Sequence, residues 1–197
     1  SLTRQLLKLA HQKFGEAPFD YAWIVFGSQA RMDQTAGSDQ DNAMILSQRP
    51  TPEQDNYFKQ ISEFVCHGLD ACGYIYCPGE IMAQTDKWRV DLSTWQKYFS
   101  KWVNTPSPEA LLNASIFFDM RVLAGDEQLF SQLQQHVLKQ TQGNQIFIAS
   151  MAALAVASRP PLGFFGKFVL ERDGEQNKVL DLKHRGVAIV NDIVRIY

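Results

Sequence analysis

The segment Tyr21-Ala22-Trp23-Ile24-Val25-Phe26 is an unbroken apolar run that stops at Gly27-Ser28. A strand with one face in water alternates apolar and polar residues, whereas a run without alternation belongs to a strand covered on both faces. The run is therefore expected to be a central strand, and the rest of the chain has to supply its cover. An amphipathic helix precedes it over Ser1 to Phe14, with Leu2, Leu6, Leu9 and Ala10 set against Arg4, Lys8 and Gln12. The polar stretch Gln29 to Gln40 must contain a turn or short helix, and Asn42-Ala43-Met44-Ile45-Leu46 reads as a second strand, closed by Pro50 and Pro52.

Tyr57, Phe58, Ile61, Phe64, Val65 and Leu69 recur at helical spacing, which predicts a helix over Glu53 to Cys72 with Thr51 as its cap and Gly73 at its end. Tyr74-Ile75-Tyr76-Cys77, followed by Pro78-Gly79, predicts a third strand running into a turn. Leu92 to Val103 forms another amphipathic helix, and Thr105-Pro106-Ser107-Pro108 is the best linker in the chain. The domain boundary is placed there, dividing residues 1–104 from a mainly helical second domain over 105–197. In the second domain, helices are expected over Glu109 to Leu123 and Asp126 to Gln140, separated by Gly125, with a more apolar one over Gln145 to Ala157. A small hairpin is expected from Phe168 to Glu171 and Lys178 to Leu182 around Asp173-Gly174, and then a helix from Gly186 to Tyr197. That helix carries Ile193, Val194 and Ile196 in an apolar rhythm with no capping signal, so the natural chain is expected to continue.

Several classes of partner are not expected. A net charge of -2 provides no broad basic face for a nucleic-acid backbone. The longest apolar stretch, Ile146 to Ala157, is interrupted by Ser150 and falls short of the ~20 residues of a membrane span. The opening helix lacks a signal-peptide pattern, so a cytoplasmic location is expected. Cys66, Cys72 and Cys77 are odd in number and lack a C-x-x-C spacing, which argues against a disulfide framework and a zinc site. His67 beside Cys66 points about 100° away from it on a helix, so half-buried packing is the expected role of that pair.

The chemistry concentrates after the central run. Asp39 and Asp41, two carboxylates at i and i+2 entering a strand, project to one face with their oxygens close enough to share divalent cations. Magnesium is commonly held by a few carboxylates plus substrate phosphates, so two acids beside a phosphate cradle can begin a site. Gly27-Ser28 supplies the cradle: glycine admits a phosphate close to the backbone and the serine hydroxyl donates to an oxygen. Arg31, one turn on, can reach the terminal phosphates. Asp33 is assigned to local turn chemistry.

A buried strand ending in Gly-Ser, an arginine three residues later, and Asp-x-Asp opening the next strand resembles the nucleotidyltransferase signature of the DNA polymerase beta superfamily. Phe26-Gly27-Ser28-Gln29-Ala30-Arg31 with Ser38-Asp39-Gln40-Asp41-Asn42-Ala43 is similar to its PII-uridylyltransferase-like branch. Tyr76-Cys77-Pro78-Gly79, Met82-Ala83, Lys87-Trp88-Arg89, Phe117-Phe118-Asp119-Met120-Arg121, Gly125-Asp126, Pro161-Leu162-Gly163-Phe164-Phe165 and Leu180-Asp181-Leu182-Lys183 resemble a bacterial group of nucleotidyltransferases. The resemblance implies an α/β (α+β) fold: a polymerase-beta-like domain with a small mixed sheet, then a helical substrate-binding domain. It also implies frequent fusion to cyclic-nucleotide-binding and CBS domains.

Carried over by position, the resemblance implies phosphate contacts for Gly27, Ser28 and Arg31 and ligation of Mg2+ (or Mn2+) by Asp39 and Asp41. A third carboxylate, which such enzymes often use to activate the attacking hydroxyl, is either Asp119, Glu80 or absent. Asp119, placed on the helix 109–123, could instead serve packing together with Arg121. Lys167, Arg172, Lys183, His184 and Arg185 have two readings, an opposite cleft wall that holds a triphosphate or acceptor, with Lys183 as nucleotide ligand, or a solvated face. Trp88 and Arg89 likewise either stack on a base or fill an interface, and Phe164-Phe165 is assigned to core. The expected activity is transfer of a nucleoside monophosphate from an NTP to an acceptor hydroxyl of a protein or small molecule, in a signalling setting. The competing reading is an NTP-sensing module without turnover.

Overall fold

The computed structural model describes residues 1–35, 37–157, 171–172, 178–179 and 187–196. Helix α1 (Leu2–Phe14) leads into β1 (Tyr21–Phe26), which passes directly into the short helix α2 (Gly27–Arg31). Strand β2 (Asn42–Leu46) and helix α3 (Pro52–Ala71) follow, then a 3-10 turn (Asp86–Trp88), β3 (Arg89–Asp91) and α4 (Leu92–Asn104). Next come α5 (Pro108–Phe117), β4 (Met120–Gly125), α6 (Glu127–Thr141), α7 (Gln145–Ala157), the strands β5 (Glu171–Arg172) and β6 (Lys178–Val179), and α8 (Ala188–Ile196).

The main sheet has the order β3-β2-β1-β4, with β1 antiparallel to both neighbours and β3 parallel to β2. All six residues of β1 are buried, as the unbroken apolar run requires. Alternate side chains leave opposite faces of a strand. Tyr21, Trp23 and Val25 join Leu7 and Ala10 of α1 and Phe58, Ile61, Val65 and Leu69 of α3 in one core. Ala22, Ile24 and Phe26 join Trp95, Phe99 and Trp102 of α4, Phe117 of α5, and Leu129 and Leu133 of α6 in the other. Each large apolar side chain removed from water contributes roughly 1.5–3 kcal/mol, so β1 is clamped from both sides.

Local signals start the helices where the sequence places them. Thr51 and Gln54 form a reciprocal capping box at α3, with Pro52 in the first turn, where its missing N–H costs nothing. Asp91, Ser107 and Asp126 cap α4, α5 and α6 through side-chain oxygens that accept backbone N–H groups.

Two expected elements are different. The helix predicted over Glu109 to Leu123 ends at Phe117, and Met120–Gly125 is the edge strand β4 beside β1. The apolar spacing of 110–123 is compatible with a helix, and the strand within it is short. Its pairing with β1 shifts register between Trp23 and Ile24, leaving Leu123 as the extra residue of a bulge. Gly125, read as a break between helices, ends this strand at φ 87°, where an added Cβ would lie 2.0 Å from the Tyr21 carbonyl oxygen. The strand expected at Tyr74 to Cys77 is instead a segment without regular structure outside the sheet, with Ile75 and Tyr76 exposed. Its place in the sheet is taken by β3, too short at three residues to show a period.

Both β4 and α6 lie beyond the 105–108 linker, yet they complete the sheet and one of its covers. A smaller cluster of Val103, Ala114, Phe147 and Met151 joins α4, α5 and α7. Of the expected hairpin, Glu171–Arg172 and Lys178–Val179 pair antiparallel. Lys167, Lys183, His184, Arg185, Phe164 and Phe165 lie outside the described residues. Among the described residues no helix is long and apolar enough to cross a membrane.

Candidate functional site

The site forms where β1 gives way to α2. Gly27 makes that transition at φ 51°, a left-handed conformation natural to glycine. On one side the Phe26 N–H donates to the carbonyl of Asp41 at 3.0 Å, and on the other the Gly27 N–H donates to the carbonyl of Asp119 at 3.1 Å. The ends of β2 and β4 thus grip the end of β1 from both edges. Neighbouring strands stand about 4.8 Å apart, so the Asp41 and Asp119 backbones flank Gly27 at roughly 10 Å from each other. A Cβ on Gly27 would lie 3.6 Å from Oδ2 of Asp41, which puts that carboxylate directly over the glycine.

Asp39 and Asp41 are brought together as their spacing predicts. Their carboxylate oxygens and the Sγ of Cys77 all lie within 4.8 Å of one another. A turn delivers this stretch: the Ser38 hydroxyl accepts the Thr35 N–H at 3.0 Å and the Ser38 N–H returns to the Thr35 carbonyl. The intervening side chains anchor it from the other face of the strand. Gln40, 1% exposed, donates through Nε2 to the carbonyls of Cys66 and Tyr74, both at 3.0 Å. Asn42, fully buried, accepts the Ala83 N–H on Oδ1 at 2.9 Å.

Backbone bonds from Gln40 N–H to Ile75 and from Asn42 N–H to Ile81 complete the attachment. The segment 74–83 is thereby laid along the acidic stretch, and Cys77 comes with it. Burial pushes the Cys77 thiol up to about 11, and the neighbouring Asp41 carboxylate acts in the same direction.

The corrected position of Asp119, at the entry to β4 rather than on a helix, makes it a neighbour of Gly27 and Arg31. Arg31 donates from Nη1 to Asp119 at 2.5 Å and from Nε to Asp33 at 3.1 Å. Burial alone would lower the guanidinium's pKa; the two carboxylates outweigh it and the net shift is upward. Arg121, two residues on, donates to the carbonyls of Gln29 and Ala30 at 2.7 and 3.2 Å. A guanidinium at the carbonyl end of α2 satisfies groups the short helix leaves open. The first residues of β4 therefore hold the Gly27–Arg31 turn in place.

The other expectations are distributed as follows. Glu80 is exposed, at φ 55°, and is not grouped with the acid pair. Trp88 is core, 4% exposed and packed against Trp95 and Phe117. Arg89, 2% exposed, is structural: it pairs with Asp55 and Asp86 and donates to the carbonyls of Ala83 and Gln84. His67 meets the Tyr76 hydroxyl and is no part of the acidic group.

Mutual cysteine spacing gives no sign of this position for Cys77, whose neighbours are aspartates far along the chain. A recess of about 930 Å³ lined by Arg4, His11, Tyr21 and Asp126 opens at the opposite end of β1.

The donor set suits a divalent cation: two half-buried carboxylates and a sulfur converge, next to a glycine that leaves room for a phosphate. Comparison with known proteins agrees in kind. A search of curated proteins finds no match. Residues 145–197 match the family model described as "Putative nucleotidyltransferase substrate binding domain". Residues 1–109, more than half of the chain, match the one described as "Putative nucleotidyltransferase DUF294". The stretch between the two matches carries Asp119 and β4. With the acid pair, the Gly-Ser turn and this match in agreement, the chain belongs to the DUF294 family of nucleotidyltransferases.

Proposed function

We propose that the chain transfers a nucleoside monophosphate, uridylyl or adenylyl, from an NTP to an acceptor hydroxyl of a protein or small molecule. The observation that carries this reading is the convergence of Asp39 and Asp41 over Gly27, with Oδ2 of Asp41 standing 3.6 Å from the place of an absent Cβ. Gly27 and Ser28 receive the phosphates, and Arg31 approaches them from the next turn. Lys183, by family resemblance, reaches the triphosphate from the second domain. Asp39 and Asp41 hold the cation, Mg2+ or Mn2+. When bound there, divalent cations neutralise charge on the attacking and leaving oxygens of an in-line displacement at the α-phosphorus. Asp119 accepts the proton of the acceptor hydroxyl, which requires it to exchange its Arg31 partner as the triphosphate draws the guanidinium away. The setting proposed is bacterial signalling, in a cytoplasmic protein linked to cyclic-nucleotide-binding and CBS domains.

Pyrophosphate release from each NTP, with candidate acceptors and either cation, tests the reading. Asp39→Asn and Asp41→Asn should each lower turnover by at least ~100-fold, the scale of losing one stabilising group at a transition state. Turnover that survives both substitutions would sink it.

One observation favours a second reading, an NTP sensor without turnover. The Asp119 carboxylate is paired with Arg31, and the acid pair's third neighbour is a cysteine. Asp119→Asn separates the two readings. A catalytic Asp119 predicts full NTP binding with turnover lost, whereas the sensor predicts binding without turnover in the parent protein across all acceptors.

A further inference from the structure

Cys77 is 8% exposed, and its sulfur stands with the Asp39 and Asp41 oxygens inside a span of 4.8 Å. One tetrahedral ion, with metal–oxygen and metal–sulfur bonds of roughly 2.1 and 2.3 Å, holds such ligands about 3.6 Å apart, inside that limit. The sulfur's position is built into the fold. Gln40 and Asn42 fasten the segment on either side of Cys77 through backbone and side-chain bonds to Tyr74, Ile75, Ile81 and Ala83. Between those anchors the Glu80 N–H closes a turn onto the Cys77 carbonyl at 2.9 Å, with Glu80 itself held at φ 55°. A non-glycine residue in that conformation persists only where its surroundings enforce it.

We infer that Cys77 is a third protein ligand to the cation of Asp39 and Asp41, so that this site takes a thiophilic divalent ion of the zinc or cobalt class in preference to Mg2+. The inference rests on the proposed role of Asp39 and Asp41 as metal ligands. Magnesium takes oxygen donors and leans on substrate phosphates, while sulfur selects the later, softer divalent ions. Three protein ligands also hold an ion without help from a nucleotide. The ion is therefore resident in the free protein rather than delivered with the NTP. Coordination displaces the thiol proton to solvent, as for any cysteine ligand.

The test uses Co2+ alone, titrated into a Cys72→Ser protein from which the exposed thiol has been removed. The expected result is a near-ultraviolet sulfur-to-cobalt charge-transfer band that saturates at one equivalent with no nucleotide present. Adding Cys77→Ser should abolish the band and weaken Co2+ binding at least ~10-fold, on the scale of disrupting a metal's supporting ligands. Magnesium affinity should change little. The absence of a band in the Cys72→Ser protein overturns the inference without requiring any variant at Cys77 to fold. A band that survives Cys77→Ser overturns it as well. Cation-dependent NTP binding that is lost in Asp39→Asn, together with no band, leaves the proposed function standing while Cys77 is removed from it. NTP binding that persists in protein stripped of metal by a chelator, or none once the cation is restored, fails the proposed function itself.

Discussion

Replacing Gly27 by alanine separates what the fold needs from what a nucleotide needs. An alanine held at φ 51° pays the left-handed penalty of about 1–2 kcal/mol. Among the described residues nothing else resists the methyl group, because its nearest neighbour is Oδ2 of Asp41 at 3.6 Å, an ordinary contact. For a chain of this size 1 kcal/mol moves Tm by roughly 2–4 °C, so Gly27→Ala should melt about 2–8 °C lower with an unchanged far-ultraviolet circular dichroism spectrum.

The new methyl stands over the Asp41 carboxylate, where the proposed phosphate and cation would enter. At 100 times Kd a ligand of the native state adds about 2.7 kcal/mol, which raises Tm of the parent protein by roughly 5–11 °C. In Gly27→Ala that rise should fall below about 2 °C. The assay is a thermal melt of both proteins with each NTP, with and without Mg2+ or Mn2+. An undiminished nucleotide-dependent rise in Gly27→Ala would refute the cradle, and a failure to fold would refute the claim that the space above Gly27 is open.

Gly125→Ala should behave in the opposite way. Its Cβ meets the Tyr21 carbonyl oxygen at 2.0 Å in addition to the strain of φ 87°, for a cost of about 3 kcal/mol or more; a melting point within about 3 °C of the parent would show that β4 yields easily. The Cys66 thiol is pushed by burial from 9.0 up to about 12, so the folded chain keeps a proton there that the unfolded chain has lost. Its contribution is complete below about pH 9 and disappears as pH rises toward 12, so Tm should fall more steeply above about pH 9 in the parent than in Cys66→Ala. Parallel slopes in alkaline melts would contradict this.

What the sequence discloses follows from which interactions are local. The central strand was legible because Tyr21–Phe26 carries its double burial in every residue. The helix starts were legible because Thr51, Asp91 and Asp126 act within one turn. The convergence of Asp39 and Asp41 follows from the two-residue period of an extended chain. The identity of β4 was hidden because 120–125 is too short to declare a period, and its strand character comes from pairing with β1 almost a hundred residues earlier. Asp119 was misplaced for the same reason. The place of Cys77 beside the acid pair is hidden because it depends on Gln40 and Asn42 drawing a loop alongside them, a relation written in no single window of sequence.

The Arg31–Asp119 pair joins residues 88 positions apart across the end of β1. Closing so long a loop costs chain entropy that only the docking of β4 repays, so the cradle is fixed late in folding rather than early. During synthesis, a chain that has emerged only as far as α4 carries Asp39 and Asp41 but neither Asp119 nor the Arg121 that secures α2. The proposed site is thereby left incomplete in the nascent polypeptide until the whole sheet has closed.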